Sequence, residues 1–434
     1  MNDDSLSLTS SHWGAYRARA RNGRIAEVVP FERDPNPSPL LRSVADAFDH
    51  PNRIRRPAIR KSWLESGPGA APERRGVEPF IECSWDQALD LVAADLERVR
   101  RDHGNSAIFG GSYGWSSAGR FHHAKTQLAR FLNCFDGFVK QLNNYSVGTA
   151  MVILPHVVGD VDLVFGPMTS WRQVAEKTEL LVAFGGLPAK NMQVESGGCG
   201  EHTAEIWLRR AAERGVKLVN ISPIRDDISD ELGATWHPIV PGTDTAMLLG
   251  LAHTLLVENL YDHAFVERYC VGFEIFAKYL REGRAGGHSA DWAAGICKIS
   301  ADDIRNLARQ MVSKRSFVTL SLAIQRADFG EQPYWAALAL AAMIGQVGLP
   351  GGGVGFGYGA DNAIGKLVTR FKSPVLPIGV NHVPEAIPVA RIADLLLRPG
   401  ELLPYDGSDI RLPHIRLVYW AGGNPFHHHQ DINN

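Results

Sequence analysis

The residues best suited to chemistry lie in Gln141-Leu-Asn-Asn-Tyr-Ser-Val-Gly-Thr149, between a strand-like run at Phe138-Val139 and a second apolar run, Ala150-Met-Val-Ile-Leu-Pro155. Ser146 is expected in a loop at the end of a strand, where a side chain can face a cleft and carry a reactive or ligating oxygen. On this stretch alone the commoner use of a serine beside Tyr145 and Gly148, as a turn residue or a helix N-cap, is the stronger reading. Upstream, Ile108-Phe-Gly-Gly-Ser-Tyr-Gly-Trp115 runs from a strand into a glycine-rich turn that holds Tyr113 and Trp115. Packing is the ordinary use of both aromatics. Downstream, Glu179-Leu-Leu-Val-Ala-Phe184 leads into Gly185-Gly186, a long loop through Ser196-Gly-Gly-Cys-Gly200, a helix over 201–214 and a strand, 217–221, that opens into Ser222-Pro223. This is a βαβ unit of Rossmann type, with glycines where backbone approaches phosphate. The loop is not G-x-G-x-x-G, so turn glycines and nucleotide binding stay level on this unit alone.

The elements that must position these residues are legible from periodicity. Alternation over 13–29 around Asn22-Gly23 predicts a hairpin. Asp34-Pro-Asn-Pro-Ser-Pro39 is a rigid linker, and the basic, proline-broken stretch 45–63 reads as a solvated connection. Ser84-Trp-Asp-Gln87 predicts a capping box for a helix with Ala88, Leu89, Leu91, Val92, Leu96 and Val99 on its apolar positions and Gly104 as its stop. A helix over 120–132 follows the Gly110 turn. Val240-Pro-Gly-Thr-Asp244 precedes an amphipathic helix with Thr243 or Asp244 as its N-cap. A buried helix over 331–344 ends in Gly348-Leu-Pro-Gly-Gly-Gly353, with Gly355, Gly357 and Gly359 beyond it, either a flexible loop or a close approach to a large cofactor. The strand 415–421 opens into Gly422-Gly-Asn-Pro425, a third strand-to-glycine turn expected on the same sheet edge.

Composition narrows the classes. The chain has 434 residues, 45% hydrophobic and 21% charged, with 45 Lys+Arg against 47 Asp+Glu for a net charge of −2. Neither a basic field for nucleic acid nor an acidic tail is present, which points to a small-molecule partner. Five dispersed cysteines with no C-x-x-C pair argue against a disulfide framework and a cysteine-held cluster. Acid in the first residues and no apolar run of membrane-spanning length lead us to expect a cytoplasmic protein without a membrane partner.

Taken together, Ile108–Trp115, the Ser146 stretch and the nucleotide-binding layout resemble the molybdenum enzymes of the dimethyl sulfoxide reductase family. The resemblance is to the S- and N-oxide reductase branch without an iron–sulfur cluster, since Ser10-Ser-His-Trp-Gly14 holds no cysteine where cluster-bearing relatives do. It runs from Ser11 to Phe426. It implies an α/β multidomain fold: a β-rich domain over 1–56, the first part of an α/β domain over 57–170 with the metal-ligand loop, and a Rossmann-like dinucleotide-binding domain over 171–421. Residues 422–434 would begin a missing continuation that includes a C-terminal cofactor-binding domain.

The resemblance also implies a cofactor, molybdenum with two molybdopterin guanine dinucleotides, without iron–sulfur cluster or haem. Ser146 would be the protein's own ligand to the metal, a hard oxygen donor suited to an oxophilic centre. Tyr113 would donate its O–H to the oxide oxygen, and Trp115 would close over the site and exclude water. Cofactor contacts would come from Ser112, Gly114, Gly185, Gly186, Lys190, Asn191, Gln193, Ser222, Pro223, Pro241, Gly242, Thr243, Asp244, Gln325, Arg326, Gly422, Gly423 and Asn424. Asp244 would accept hydrogen bonds from the N1 and N2 edge of guanine. The run His427-His-His429 is common in the family and is not read as a metal site. The implied reaction is oxygen-atom transfer from a sulfoxide or N-oxide of the biotin sulfoxide, dimethyl sulfoxide or trimethylamine N-oxide type. Two electrons from an external donor and two protons complete the cycle, releasing water. Two alternatives stand beside it. One is an inactive or split-gene fragment that needs a separate C-terminal polypeptide; the other is a non-catalytic guanine-nucleotide-binding module.

Overall fold

The computed structural model describes residues 5–112, 123–166, 168–195, 197–198, 200–283, 286–367 and 375–424. The first strands form an antiparallel meander, β1 (Ser7–Ser11), β2 (Gly14–Arg21) and β3 (Arg24–Pro30). Asn22 and Gly23 turn the hairpin with φ of 51° and 73°, the left-handed pair whose twist matches that of the strands. β4 (Ala58–Arg60) and β5 (Phe80–Glu82) then pair antiparallel. The basic stretch before them is exposed from 48 to 56, the solvated connection its composition predicts; the exception comes inside β4. Arg60 pairs with Glu78, whose carboxylate is 1% exposed and also accepts from the Ser62 hydroxyl and backbone N–H.

Two parallel sheets follow. β6 (Ile108–Gly111) and β7 (Val139–Leu142) begin the first, and β8 (Leu180–Phe184), β9 (Lys217–Ile221), β10 (Thr235–His237), β11 (Ser316–Leu320) and β12 (Gly353–Phe356) make the second. The chain then returns. β13 (Ala386–Pro388) and β16 (Leu417–Trp420) join the first sheet, with the small hairpin β14 (Leu402–Tyr405) and β15 (Ser408–Arg411) between them. The orders are β13-β7-β6-β16 and β10-β9-β8-β11-β12, parallel throughout. Every residue of β8 and β11 is buried, the pattern of strands covered on both faces.

The boundary expected at 421 therefore does not follow the sheets. β13 and β16 flank β7 and β6, and Phe109, Val139, Ile387, Leu395 and Leu403 share one apolar cluster. The unit built on 57–170 is completed by 375–424, and the second sheet's strands end at Phe356. The Gly422 turn correspondingly shares an edge with Ser112 and not with Gly185.

The helix Trp85–His103 starts at Ser84, whose hydroxyl accepts from Gln87 N–H, and stops at Gly104 with φ 77°. Only Leu96 and Val99 of its apolar positions are buried, while Leu89 and Val92 are exposed. The helix Asp244–Val257, expected to be amphipathic, is instead buried nearly all round, because Ala290–Cys297, Ala301–Ser313 and Glu331–Ile344 pack against it. No described helix is long and apolar enough to cross a membrane.

Candidate functional site

Counted in chain order within each sheet, the strands of the five-stranded sheet run 3-2-1-4-5 and those of the four-stranded sheet 3-2-1-4. Each order reverses once, between β8 and β11 and between β6 and β16. Loops leaving neighbouring strands at such a reversal diverge and open a crevice at the carboxyl edge, the usual ligand position of doubly wound sheets. Gly185 and Ser321 leave β8 and β11; Ser112 and Gly422 leave β6 and β16.

Ser146 stands at the carboxyl edge of the four-stranded sheet. After β7 ends at Leu142, Asn143 takes a left-handed conformation, φ 66°, which asparagine tolerates better than other side chains. Its Nδ2 donates to the Gly148 carbonyl at 2.8 Å and the Tyr405 hydroxyl at 2.9 Å. Asn144 Oδ1 accepts from Val147 N–H at 2.8 Å, and the Tyr145 hydroxyl donates to the Val389 carbonyl. Ser146 is thus the exposed residue of an otherwise part-buried loop. It directly precedes Val147, the N-cap of the helix Gly148–Val158. A helix N-terminus carries partial positive charge, which favours an anionic oxygen beside it.

The second sheet reaches this loop through Gln325, which follows β11. Its Nε2 donates to the Ser146 carbonyl at 2.7 Å and its Oε1 accepts from Ala150 N–H at 3.0 Å. The carboxyl edges of the two sheets therefore meet at the serine. The Gln325 side chain, expected among cofactor contacts, is 2% exposed and committed to the protein's own backbone. Its neighbour Arg326 is exposed. Ser112 N–H donates to Gln141 Oε1 at 2.8 Å, while Gln141 Nε2 is buried with no partner among the described residues. Gly422, Gly423 and Asn424 are exposed at the end of β16, both glycines at φ 77°. Tyr113, Gly114 and Trp115 lie outside the described residues, as do His427-His-His429.

The remaining expected contacts lie on the five-stranded sheet. Gly185 and Gly186 have φ of 80° and 70°. A Cβ on them would stand 2.5 Å from Ser321 Cβ and 2.3 Å from Asp227 Cβ respectively. Lys190 and Asn191 are exposed, and Gln193 is half-buried at the end of the short turn Asn191–Gln193. Ser222 is buried; its hydroxyl donates to Asp227 Oδ2 at 2.6 Å and accepts from Ile224 N–H at 3.1 Å, so it braces a turn. Pro223 and Pro241 are exposed.

Thr243 occupies the N-cap position, but its hydroxyl donates to the Val240 carbonyl at 2.6 Å, and no side-chain cap bond forms. Asp244 is the first residue of that helix and only 6% exposed. It lines a cavity of about 330 Å³ with Gly242, Thr245, Ile324, Asp328 and Phe329. Burial raises its carboxyl from 3.8 to about 6, against the smaller opposing pull of its own backbone N–H.

Known proteins resemble this chain closely. The sequence model of the family described as "Molybdopterin oxidoreductase" matches residues 53–434, and that of its N-terminal domain matches 9–48. The chain belongs to the molybdopterin oxidoreductase family. It is 47% identical to the biotin sulfoxide reductase of Cereibacter sphaeroides, over 94% of this chain and 55% of that protein. It is 40% identical to the dimethyl sulfoxide/trimethylamine N-oxide reductase of Rhodobacter capsulatus, over 98% of this chain and 53% of that protein. A trimethylamine-N-oxide reductase of Haemophilus influenzae is 36% identical over 98% of this chain and 53% of the relative. The chain thus spans about half the length of the curated relatives it matches. Among solved structures, acetylene hydratase from Pelobacter acetylenicus superposes with a TM-score of 0.54 at 21% identity, covering 79% of this chain and 44% of that one. That likeness concerns the fold alone.

Membership in the molybdopterin oxidoreductases implies a molybdenum centre carried by molybdopterin. The residues present fit such a group. Among the described residues no group of three or more His, Cys, Asp or Glu is arranged to hold a metal, and Ser146 is an exposed oxygen donor at the carboxyl edge of the four-stranded sheet. Asp244 offers a dehydrated carboxylate in a cavity, matched to a donor-rich edge. Asn220 Oδ1, beside Gly186, is buried and finds no hydrogen-bond partner among the described residues, as is the case for Gln141 Nε2.

Sequence reasoning passed over the groups that hold these residues in place. Asn362 Nδ2 donates to Glu195 Oε2 at 2.6 Å, and Lys366 Nζ contacts the same oxygen at 2.7 Å. This clasp ties the long loop after Gly186 to the segment beyond β12, a contact more than 150 residues long in sequence. Nothing local announces it. Asn143-Asn144 did carry a signal, since paired asparagines after a strand favour a left-handed turn.

Proposed function

We propose that this chain carries the metal-ligand loop and a guanine-dinucleotide site of a molybdenum-dependent reductase that removes an oxygen atom from a sulfoxide or N-oxide. The bound cofactor, molybdenum with two molybdopterin guanine dinucleotides, would supply the two-electron oxygen-atom chemistry. The protein's part is ligation, orientation and electrostatics. The observation that carries the reading is the exposed Ser146, presented by a loop braced from both sheets and followed by a helix N-terminus. A serine oxygen is a hard donor suited to a high-valent metal, and the adjacent helix favours its anionic form. Asp244 would accept from the N1 and N2 edge of one guanine, with Gly242 leaving room beside it. Tyr113 would donate its O–H to the oxide oxygen of the substrate, and Trp115 would exclude water.

The relatives named for biotin sulfoxide, dimethyl sulfoxide and trimethylamine N-oxide support small oxides of that kind as substrates. Reducing equivalents would come from an external donor. Elemental analysis for molybdenum, with an assay of GMP released from the purified chain, tests the reading. One metal and two guanylates per chain are expected of a polypeptide that holds the whole cofactor. Absence of both from a chain co-produced with the polypeptide that completes the relatives' length would sink the proposal.

A second reading draws on the Asp244 cavity: a module that binds a guanine nucleotide without metal. It expects GMP to bind the chain unaided and Ser146→Ala to leave every measured property unchanged.

A further inference from the structure

Gln325 follows the second sheet and Ser146 follows the first, yet the glutamine grips the chain at the serine's own carbonyl and in the helix turn just after it. Its Nε2 donates to the Ser146 carbonyl at 2.7 Å and to the Leu322 carbonyl at 3.3 Å. Its Oε1 accepts from Ala150 N–H at 3.0 Å, and its own carbonyl accepts from the Thr149 hydroxyl at 3.2 Å. Both amide hydrogens are engaged, and the side chain is 2% exposed.

Position explains why this matters. Ala150 is the third residue of the helix Gly148–Val158, and its N–H is one of the first-turn donors that no helical carbonyl can satisfy. An N-cap side chain normally does so, but the N-cap here is Val147, which has no acceptor. Gln325 performs that duty from a distant element. It also fixes the carbonyl of the residue whose hydroxyl is presented, and with it the peptide plane from which the Ser146 side chain departs.

We infer that Gln325 is the positioning residue of Ser146: it locks the serine loop to the second sheet and sets the direction of the hydroxyl, without itself touching cofactor or substrate. The inference rests on the proposed role of Ser146 for its consequence in catalysis, but not for its structural content.

The test uses the full chain and two independent readouts. In the cofactor-free chain, Gln325→Met removes the donor and the acceptor at nearly constant volume. Amide hydrogen exchange over residues 146–154 is expected to rise about five- to tenfold, the effect of losing one helix cap. Exchange in β8 and β11 is expected to stay as in the parent chain. In the cofactor-loaded protein, the same substitution is expected to shift the metal's optical and paramagnetic spectra in the direction produced by Ser146→Ala. It should lower kcat with KM and metal content retained. Gln325→Glu keeps an acceptor for Ala150 but loses the donor to Ser146, and is expected to give the spectral shift while leaving the helix start protected. This second variant covers the case in which Gln325→Met does not fold.

Unchanged exchange over 146–154 overturns the inference, as does loosening of β8 and β11 to the same degree. Loss of metal with the loop still protected also overturns it, since the glutamine would then act on the cofactor. An unchanged metal spectrum in Ser146→Ala alone would remove the serine as ligand, a separate failure that leaves the exchange result standing.

Discussion

Asp244 shows what one buried carboxylate imposes. An unfolded aspartate titrates near 3.8 and this one at about 6, so between those values the folded chain binds more protons than the unfolded one. Stability contributed by this group is therefore lost as pH rises from about 4 to 6 and is level above that. Two units correspond to at most ~3 kcal/mol. Urea unfolding of the cofactor-free chain at pH 4.5, 5.5 and 7 is expected to show this slope, relative to Asp244→Asn, which lacks it. A guanine edge can donate to both carboxyl oxygens at once only when the group is ionised, so GMP affinity should climb by up to about tenfold per pH unit to pH 6 and then flatten. An affinity independent of pH across that window would mean that Asp244 does not face the base. For Tyr113, the expected outcome of Tyr113→Phe is slower turnover with metal content intact; loss of molybdenum in that variant would make the tyrosine structural.

At the scale of elements, the crevice between β8 and β11 depends on glycines that leave no space for a side chain. Gly186 has φ 70°, and a Cβ there would lie 2.3 Å from Asp227 Cβ. Gly215 has φ 86° with nothing within 4 Å. Left-handed strain acts on alanine at both positions, but overpacking acts only at the first. Gly186→Ala is expected to cost ~3 kcal/mol and Gly215→Ala ~1 kcal/mol; equal losses in denaturant unfolding would refute the close approach. The turn glycines were legible in the sequence, Gly185-Gly186 because they follow an apolar run and Gly215 because it follows a helical stretch, as were the hairpin at Asn22-Gly23 and the strand Lys217–Ile221. The pairing of the runs was not. Leu417–Trp420 looks locally like any strand followed by glycine, and its membership in the sheet of Ile108–Gly111 is set by contacts across the intervening unit. The same limit hid the Gln325 brace: its type and its place after a strand suggested a polar contact, but its partner lay 179 residues away.

Across the whole molecule, one surface stands out for what it leaves uncovered. β16 is an edge strand of the four-stranded sheet, and a groove of about 570 Å³ runs beside it, lined by Ile59, Trp63, Leu91, Val92, Val418 and Trp420. Trp85, Leu89 and Phe80 are exposed nearby in sequence, at 67%, 59% and 64%. An edge strand beside apolar side chains invites pairing with further chain. That explains why Leu89 and Val92 follow helical spacing and yet face outward: the periodicity marks a face suited to burial, which none of the described residues covers. The chain spans about half the length of its matched relatives, and we propose that sequence corresponding to their remaining length, supplied as a polypeptide, covers this face. Co-production with that polypeptide should slow amide exchange in Leu417–Trp420 and lower the fluorescence of an apolar dye bound to the free chain. Trp85→Lys together with Leu89→Glu should weaken the association at least tenfold, with the stability of the free chain nearly unchanged because both residues are already exposed. If the partner binds the double variant as tightly as the parent, the groove is not the joint, and the two halves must meet elsewhere.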